Sequence, residues 1–340
     1  MATESWRYFS ENSELRDGSR HAVPAVARRQ ELEQDPSGYF VPQALADAVD
    51  VAIALGQPLL LTGEPGTGKT QVAHHIAWKL FGDQAEAIVF NTKTTSTARD
   101  LFYHYDSIRH FRDAQLSKQG NDSDDISQRT KGLDVQDYIT FQGLGRAILM
   151  ANAKAEVRTL LPQDLREQPA RQSVVLIDEI DKAPRDLPND VLNEVERMRF
   201  DVKETGASFK ADEKFRPIVI LTSNSERVLP DPFLRRCVFH HLEFPKTTEL
   251  KLIIKQRLGM DEMRPDKTQQ WIAEAIDQFE KHRTLLNRKP ATAELLAWLR
   301  FLEQIQKSTQ TENPLKHPNA RAGLGIIAKN KEDRARLTAT

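Results

Sequence analysis

Residues 58–70 read PLLLTGEPGTGKT, and the fold is decided by how that stretch divides. Pro58-Leu59-Leu60-Leu61 is a short apolar run of the kind that forms a buried parallel strand. Gly63 to Thr70 then spells the full G-x-x-x-x-G-K-[ST] spacing. Gly63 and Gly68 let the backbone turn tightly, so that successive N–H groups converge on an anion. Lys69 supplies positive charge for the β- and γ-phosphates of a nucleotide, and the Thr70 hydroxyl is suited to ligate Mg²⁺. Glu64, Pro65, Gly66 and Thr67 make the loop between them. Gln71 continues into a helix, expected from about Lys69 through Leu80, whose N-terminus points at the anion. A strand before the loop and a helix after it are the context that separates a phosphate-binding site from a chance glycine-rich turn.

Similar apolar runs recur along the chain at 87–90, 174–177 and 218–221, with a weaker one at 238–244. Helical spacing lies between them, notably Leu187, Val191, Val195 and Met198. Upstream, Pro42 opens a helix in which Leu45, Val49, Ala52 and Ile53 share a face and Gly56 marks the stop. Strands alternating with helices predict an α/β fold with a mostly parallel sheet, a P-loop core. After about residue 246 the pattern is helical only. The three faces there are Leu250/Ile253/Ile254/Leu258, Trp271/Ala275/Phe279 and Leu295/Trp298/Leu299/Leu302. The expected organisation is an arm over 1–38, an α/β nucleotide-binding core over 39–245, a small all-helical lid over 246–307 and a C-terminal extension over 308–340. Residues 117–131 and 308–321 read as loops.

Composition narrows the function classes. Of 340 residues, 48 are Lys or Arg and 49 are Asp or Glu, giving a net charge of -1. That balance argues against a generally basic nucleic-acid binder, while a local patch stays open. A single cysteine excludes a disulfide framework or a cysteine-rich zinc module. No apolar run approaches the roughly 18 residues of a membrane span, and the first residues lack a signal-peptide apolar core. A cytoplasmic location is expected.

A second chemical signal is Val174-Val175-Leu176-Ile177-Asp178-Glu179, an apolar strand ending in two acids. An acid at the carboxyl end of a parallel strand faces the ligand crevice. Asp178 is expected in the Mg²⁺ shell and Glu179 as the base that orients and deprotonates an attacking water. The competing reading, two acids capping the next helix, loses weight because the phosphate loop lies upstream. Asn224, at the tip of Ile220-Leu221-Thr222-Ser223-Asn224, suits a contact to that water or to a γ-phosphate oxygen; the alternative is a turn asparagine.

Taken together, Gly63–Thr70, Asp178-Glu179, Asn224 and Leu229-Pro230-Asp231-Pro232-Phe233-Leu234-Arg235-Arg236 resemble an AAA+ ATPase, closest in wording to the MoxR-type branch, over roughly residues 38–305. The resemblance implies ATP and Mg²⁺ as cofactors and an ATPase reaction. It implies that Arg235 or Arg236 acts as an arginine finger on the γ-phosphate of a neighbouring subunit, and hence a homo-oligomeric ring, commonly a hexamer. It also implies a lid sensor, for which Lys289 or Arg288 is the nearest match. In that branch the work is chaperone-like remodelling of a client protein, often with a von Willebrand A-domain partner. Two other functions remain open: a slow-turnover, ATP-gated switch in a larger complex such as a defence or stress system, and a DNA-directed AAA+ subunit. No motif reads the base, so ATP over GTP rests on the resemblance.

Two further segments fit the branch. Residues 200–211 read as a hairpin before the Asn224 strand. The aromatic and basic stretch Asp100–Arg112 is either an amphipathic helix packed on the body or a pore-facing insertion that touches polypeptide or nucleic acid. His74-His75 and His240-His241 are adjacent pairs whose side chains diverge, which suits no shared metal. Cys237 reads as a buried structural thiol.

Overall fold

In the computed structural model, which describes residues 35–119, 134–224, 229–263 and 269–339, the apolar runs lie side by side in one five-stranded sheet. Residues 1–34 of the arm expected over 1–38, and most of the 117–131 stretch, fall outside those residues. In chain order the strands are β1 (Leu59–Gly63), β2 (Ile88–Asn91), β3 (Tyr103–Tyr105), β4 (Ile139–Phe141), β5 (Val174–Asp178), β6 (Arg199–Val202), β7 (Ala207–Lys210), β8 (Ile218–Ser223) and β9 (Val238–Leu242). The sheet order is β2-β5-β8-β1-β9. The pairs β2–β5, β5–β8 and β8–β1 are parallel. Every residue of β1 and β8 is buried, as are the first four of β5, because both faces of a central parallel strand are covered. At the edge, β2 alternates between half-buried and exposed positions.

The chain divides into two compact units. One holds residues 42–63 and 72–241, the sheet and its flanking helices. Helix α1 (Gln43–Leu55) buries Leu45, Ala48 and Ala52 and ends at Gly56, which is left-handed as its C-terminal position requires. Helix α2 (Lys69–Phe81) follows the phosphate loop, α3 (Ser107–Gln119) follows β3, and α4 (Gly143–Met150) follows β4. Helix α4 lies so close to the chain before β3 that a Cβ on Gly145 would come within 2.0 Å of the Phe102 carbonyl oxygen. Leu60, Leu144, Ile148, Val175, Ile177 and Leu221 are central to this unit's core.

Two expectations change here. Leu187, Val191, Val195 and Met198 are all buried, but on two short helical pieces, Leu187–Asp190 and Leu192–Arg197. Met198 ends the second piece in a left-handed conformation, φ 44°. The spacing reported a shared buried face and not one continuous helix. The stretch Asp100–Arg112 is not one packed amphipathic helix either. Leu101, Phe102 and Tyr103 are buried in a turn and in β3, which pairs antiparallel with β4. Helix α3 begins afterwards and turns Ile108 and Phe111 outward, 82% and 65% exposed. The run Tyr103-His104-Tyr105 has the period of a strand, which decides the outcome. The hairpin expected before β8 is present as β6–β7.

The other unit holds, among the described residues, 35–41, 64–71 and 242–339. Its longer helices are α5 (Thr247–Leu258), α6 (Trp271–Leu285), α7 (Thr292–Thr309) and α8 (Lys331–Ala339). Leu250, Phe279, Trp298, Leu299 and Leu302 form its core, together with Ile327, Ala328 and Leu337 from the C-terminal stretch. The 308–321 segment is organised as two 3₁₀ turns, each opening on a proline, Pro314–Lys316 and Pro318–Gly323. Asp333 ties the C-terminal stretch down. Its carboxylate accepts the backbone N–H groups of Asn287 at 2.9 Å and Arg288 at 3.2 Å, and the Asn330 amide at 2.8 Å.

Candidate nucleotide site

The phosphate loop takes the conformation its glycines allow. Gly66 and Gly68 sit at φ 81° and 90°, which only glycine adopts readily, and the Thr67 N–H between them closes the loop on the Glu64 carbonyl at 3.3 Å. Lys69 is 7% exposed, and its ammonium donates to the Glu64 carbonyl at 2.9 Å, inside the curve of the loop. A phosphate set against the loop would bring an anion to this buried cation. Thr70 and Gln71 lie in the first turn of α2, whose N–H groups have no acceptor within the helix. The residues therefore fit a nucleotide triphosphate.

Helical-unit residues pack directly on this loop. Arg283, on α6, pairs with the Glu64 carboxylate and lies 3.7 Å above the Phe244 ring. Arg257, on α5, donates to the Gln71 side chain at 3.0 Å. The Tyr39 ring stands 3.1 Å from where a Cβ on Gly68 would be, and Ala291 stands 2.7 Å from one on Gly66. Lys289 and Arg288 are exposed, and two other lid arginines, Arg283 and Arg257, contact the loop. Arg283 sits mid-helix with no motif around it; its one signal in the sequence is its spacing from Phe279 and His282 on a largely buried face.

The acidic pair closes β5. Ile177 stands opposite Leu221 on β8, so Asp178 and Thr222 come side by side. The Thr222 hydroxyl, buried with the residue 1% exposed, donates to Asp178 Oδ1 and accepts the Glu179 N–H at 2.9 Å. Asn91 on β2 is in register with Asp178 from the other side. Glu179 itself is left-handed, φ 56° and ψ 50°. A non-glycine residue there carries strain on the order of 1–2 kcal/mol. The turn aims its carboxylate at the tip of β8. Asn224 Nδ2 donates to Glu179 Oε1 at 3.0 Å, and the Lys182 ammonium pairs with Oε2. The Asn224 backbone is fixed by its N–H to Asp181 Oδ2 at 3.1 Å. Thus Asp178, Glu179 and Asn224 come together, joined by Thr222 and Lys182, which the sequence reading left out. The register of β8 on β1 puts Ser223 opposite Thr62, one residue before Gly63, so the carboxyl ends of β5, β8 and β1 form one continuous edge.

His74 sits near this edge. Burial pushes its imidazole below the usual range, against the pull of the Glu86 and Asp178 carboxylates. Arg235 and Arg236 are exposed after a single helical turn, Asp231–Leu234; Arg236 lies 4.0 Å from Glu196. Cys237 packs against the core, and burial pushes its thiol up to about 12.

A parallel sheet whose first strand runs into a phosphate loop, with an acidic pair at the end of a strand two places away, defines a P-loop nucleotide-binding protein. Residues 58–237, more than half of the chain, match the AAA domain (dynein-related subfamily), and the chain belongs to that family of AAA+ ATPases. None of the curated proteins matches it. Among the described residues no helix is long and apolar enough to cross a membrane.

Proposed function

We propose that the chain hydrolyses the β–γ phosphoanhydride of ATP with water as the nucleophile, and that it uses the cycle to remodel a client protein in the manner of MoxR-type AAA+ ATPases. The observation that carries the reading is the continuous edge at the ends of β5, β8 and β1, where Asp178, Glu179 and Asn224 are linked one to the next beside the strand that opens the phosphate loop. The loop backbone over 63–70 binds the phosphates and Lys69 offsets their charge. Thr70 and Asp178 would hold Mg²⁺, which neutralises charge on the β- and γ-phosphate oxygens. Glu179 takes the proton of the attacking water, and Asn224 orients that water and the carboxylate together. Arg235 or Arg236, exposed on the single turn before β9, supplies the finger to a neighbouring copy in a ring. Client proteins, with a von Willebrand A-domain protein as the favoured partner, complete the assembly.

Three measurements test this reading. Lys69→Ala abolishes binding of a fluorescent ATP analogue; normal binding contradicts the cradle. Glu179→Gln keeps ATP bound and loses about 10²–10⁴-fold in turnover, the usual worth of a general base. Pull-down with the Glu179→Gln protein in ATP retains the client, and recovery of DNA instead of protein would replace the remodelling assignment by a DNA-directed one.

A further inference from the structure

The Glu179 carboxylate has a donor on each oxygen. Asn224 Nδ2 reaches Oε1 at 3.0 Å, and the Lys182 ammonium holds Oε2. The approach of Lys182 is built into the backbone. The left-handed turn at Glu179 leads into the 3₁₀ turn Ile180–Lys182, closed by the Lys182 N–H on the Glu179 carbonyl at 2.9 Å, and this brings side chains three residues apart onto one another. Glu179 N–H is pinned by Thr222, so the carboxylate does not drift away from the pair. A general base needs an oxygen open to the proton it removes. With Asn224 on one oxygen and Lys182 on the other, neither oxygen is turned to an attacking water.

We propose that Lys182 is a positioning residue for the hydrolysis: its ammonium holds the Glu179 carboxylate away from the attacking water, and turnover requires that contact to open. The proposal rests on the reading of Glu179 as the base. A simple surface ion pair at i, i+3 would leave the carboxylate free to swing, but here Asn224 and the strained turn fix its direction. The pair is also releasable. The two side chains are 39% and 36% exposed, so water replaces either partner when they separate, unlike a fully buried pair, which breaks only at large cost. A group that draws the ammonium off, from a client or from a neighbouring copy, would set the rate of hydrolysis without touching the nucleotide.

The test compares steady-state ATPase rates and binding of a fluorescent ATP analogue for the full chain and four variants. Lys182→Met and Lys182→Gln remove the charge and keep most of the stem; each raises kcat by roughly two- to tenfold, a modest lowering of the barrier, with analogue affinity unchanged. Lys182→Arg restores the charge and returns kcat to the starting value. The double variant Glu179→Gln/Lys182→Met stays inactive, because the effect runs through the carboxylate. Unchanged or lower kcat in both neutral variants overturns the proposal, as does an arginine variant that behaves like the methionine one. Glu179→Gln alone separates the two levels. If it turns over normally, the base assignment fails; if it is inactive while Lys182→Met matches the unaltered chain, only the clamp fails.

Discussion

Thr222 Oγ1 stands between the two acids, accepting from Glu179 N–H at 2.9 Å and donating to Asp178 Oδ1. Thr222→Val keeps the shape and removes both bonds. It leaves a half-buried backbone donor unpaired, so thermal unfolding should show a loss of about 1–3 kcal/mol. Turnover should fall further than nucleotide affinity, because the acidic pair loses its anchor while the phosphate loop does not; equal loss in both would remove Thr222 from the site. Asp333 allows a signed pH prediction. Backbone N–H groups of Asn287 and Arg288 and the Asn330 amide hold its carboxyl below the usual 3.8. Its contribution is therefore present at neutral pH and is lost as pH falls below about 4. The melting temperature of Asp333→Ala should lie below that of the unaltered chain at pH 7, with the gap closing toward pH 3; a gap independent of pH would contradict the assignment. The places of Lys69 after β1 and of Asp178 and Glu179 at the end of β5 were legible in the sequence because each sits in a contiguous motif with its strand attached. Thr222, Lys182 and Arg283 were not. Their roles depend on strand register, on one left-handed residue and on helix rotation, none of which a run of letters states.

At the level of elements, the strands β1, β5 and β8 were readable because central parallel strands are apolar without a break, and β2 and β9 less so because edge strands alternate. The period of Leu187 to Met198 identified a buried face and missed the break in the helix, and the aromatic stretch before α3 was a strand whose partner, Ile139–Phe141, lies more than 30 residues on. Long-range pairing of that kind leaves no local trace. The contact between α4 and the Phe102 backbone gives this level its own prediction. A methyl group on Gly145 has no room, so Gly145→Ala forces helix and strand apart and should cost about 1–3 kcal/mol or more by denaturant unfolding. Unchanged stability would mean that α4 does not pack there as described. The C-terminal 308–340 stretch contributes Ile327, Ala328 and Leu337 to the helical core, so its truncation should destabilise that unit and not merely shorten a tail.

For the whole molecule, the phosphate loop is gripped by helical-unit residues through Arg283 on Glu64 and Arg257 on Gln71, while the acidic pair belongs to the sheet unit. In the proposed cycle, the nucleotide draws on the phosphate loop, on the acidic pair and on an arginine from the next copy. Mixing Arg236→Ala with Glu179→Gln subunits should restore activity above either alone, since some interfaces then carry an intact finger facing an intact base. Absence of rescue would argue against trans action or assign the finger to Arg235. The most direct test is a high-resolution structure of the Glu179→Gln chain with Mg²⁺ and ATP. The account predicts phosphates on the backbone over 63–70, the metal beside Thr70 and Asp178, the Asn224 amide facing the γ-phosphate, and an arginine of the adjoining copy closing the pocket. A metal remote from Asp178, or a triphosphate bound away from Lys69, would contradict it.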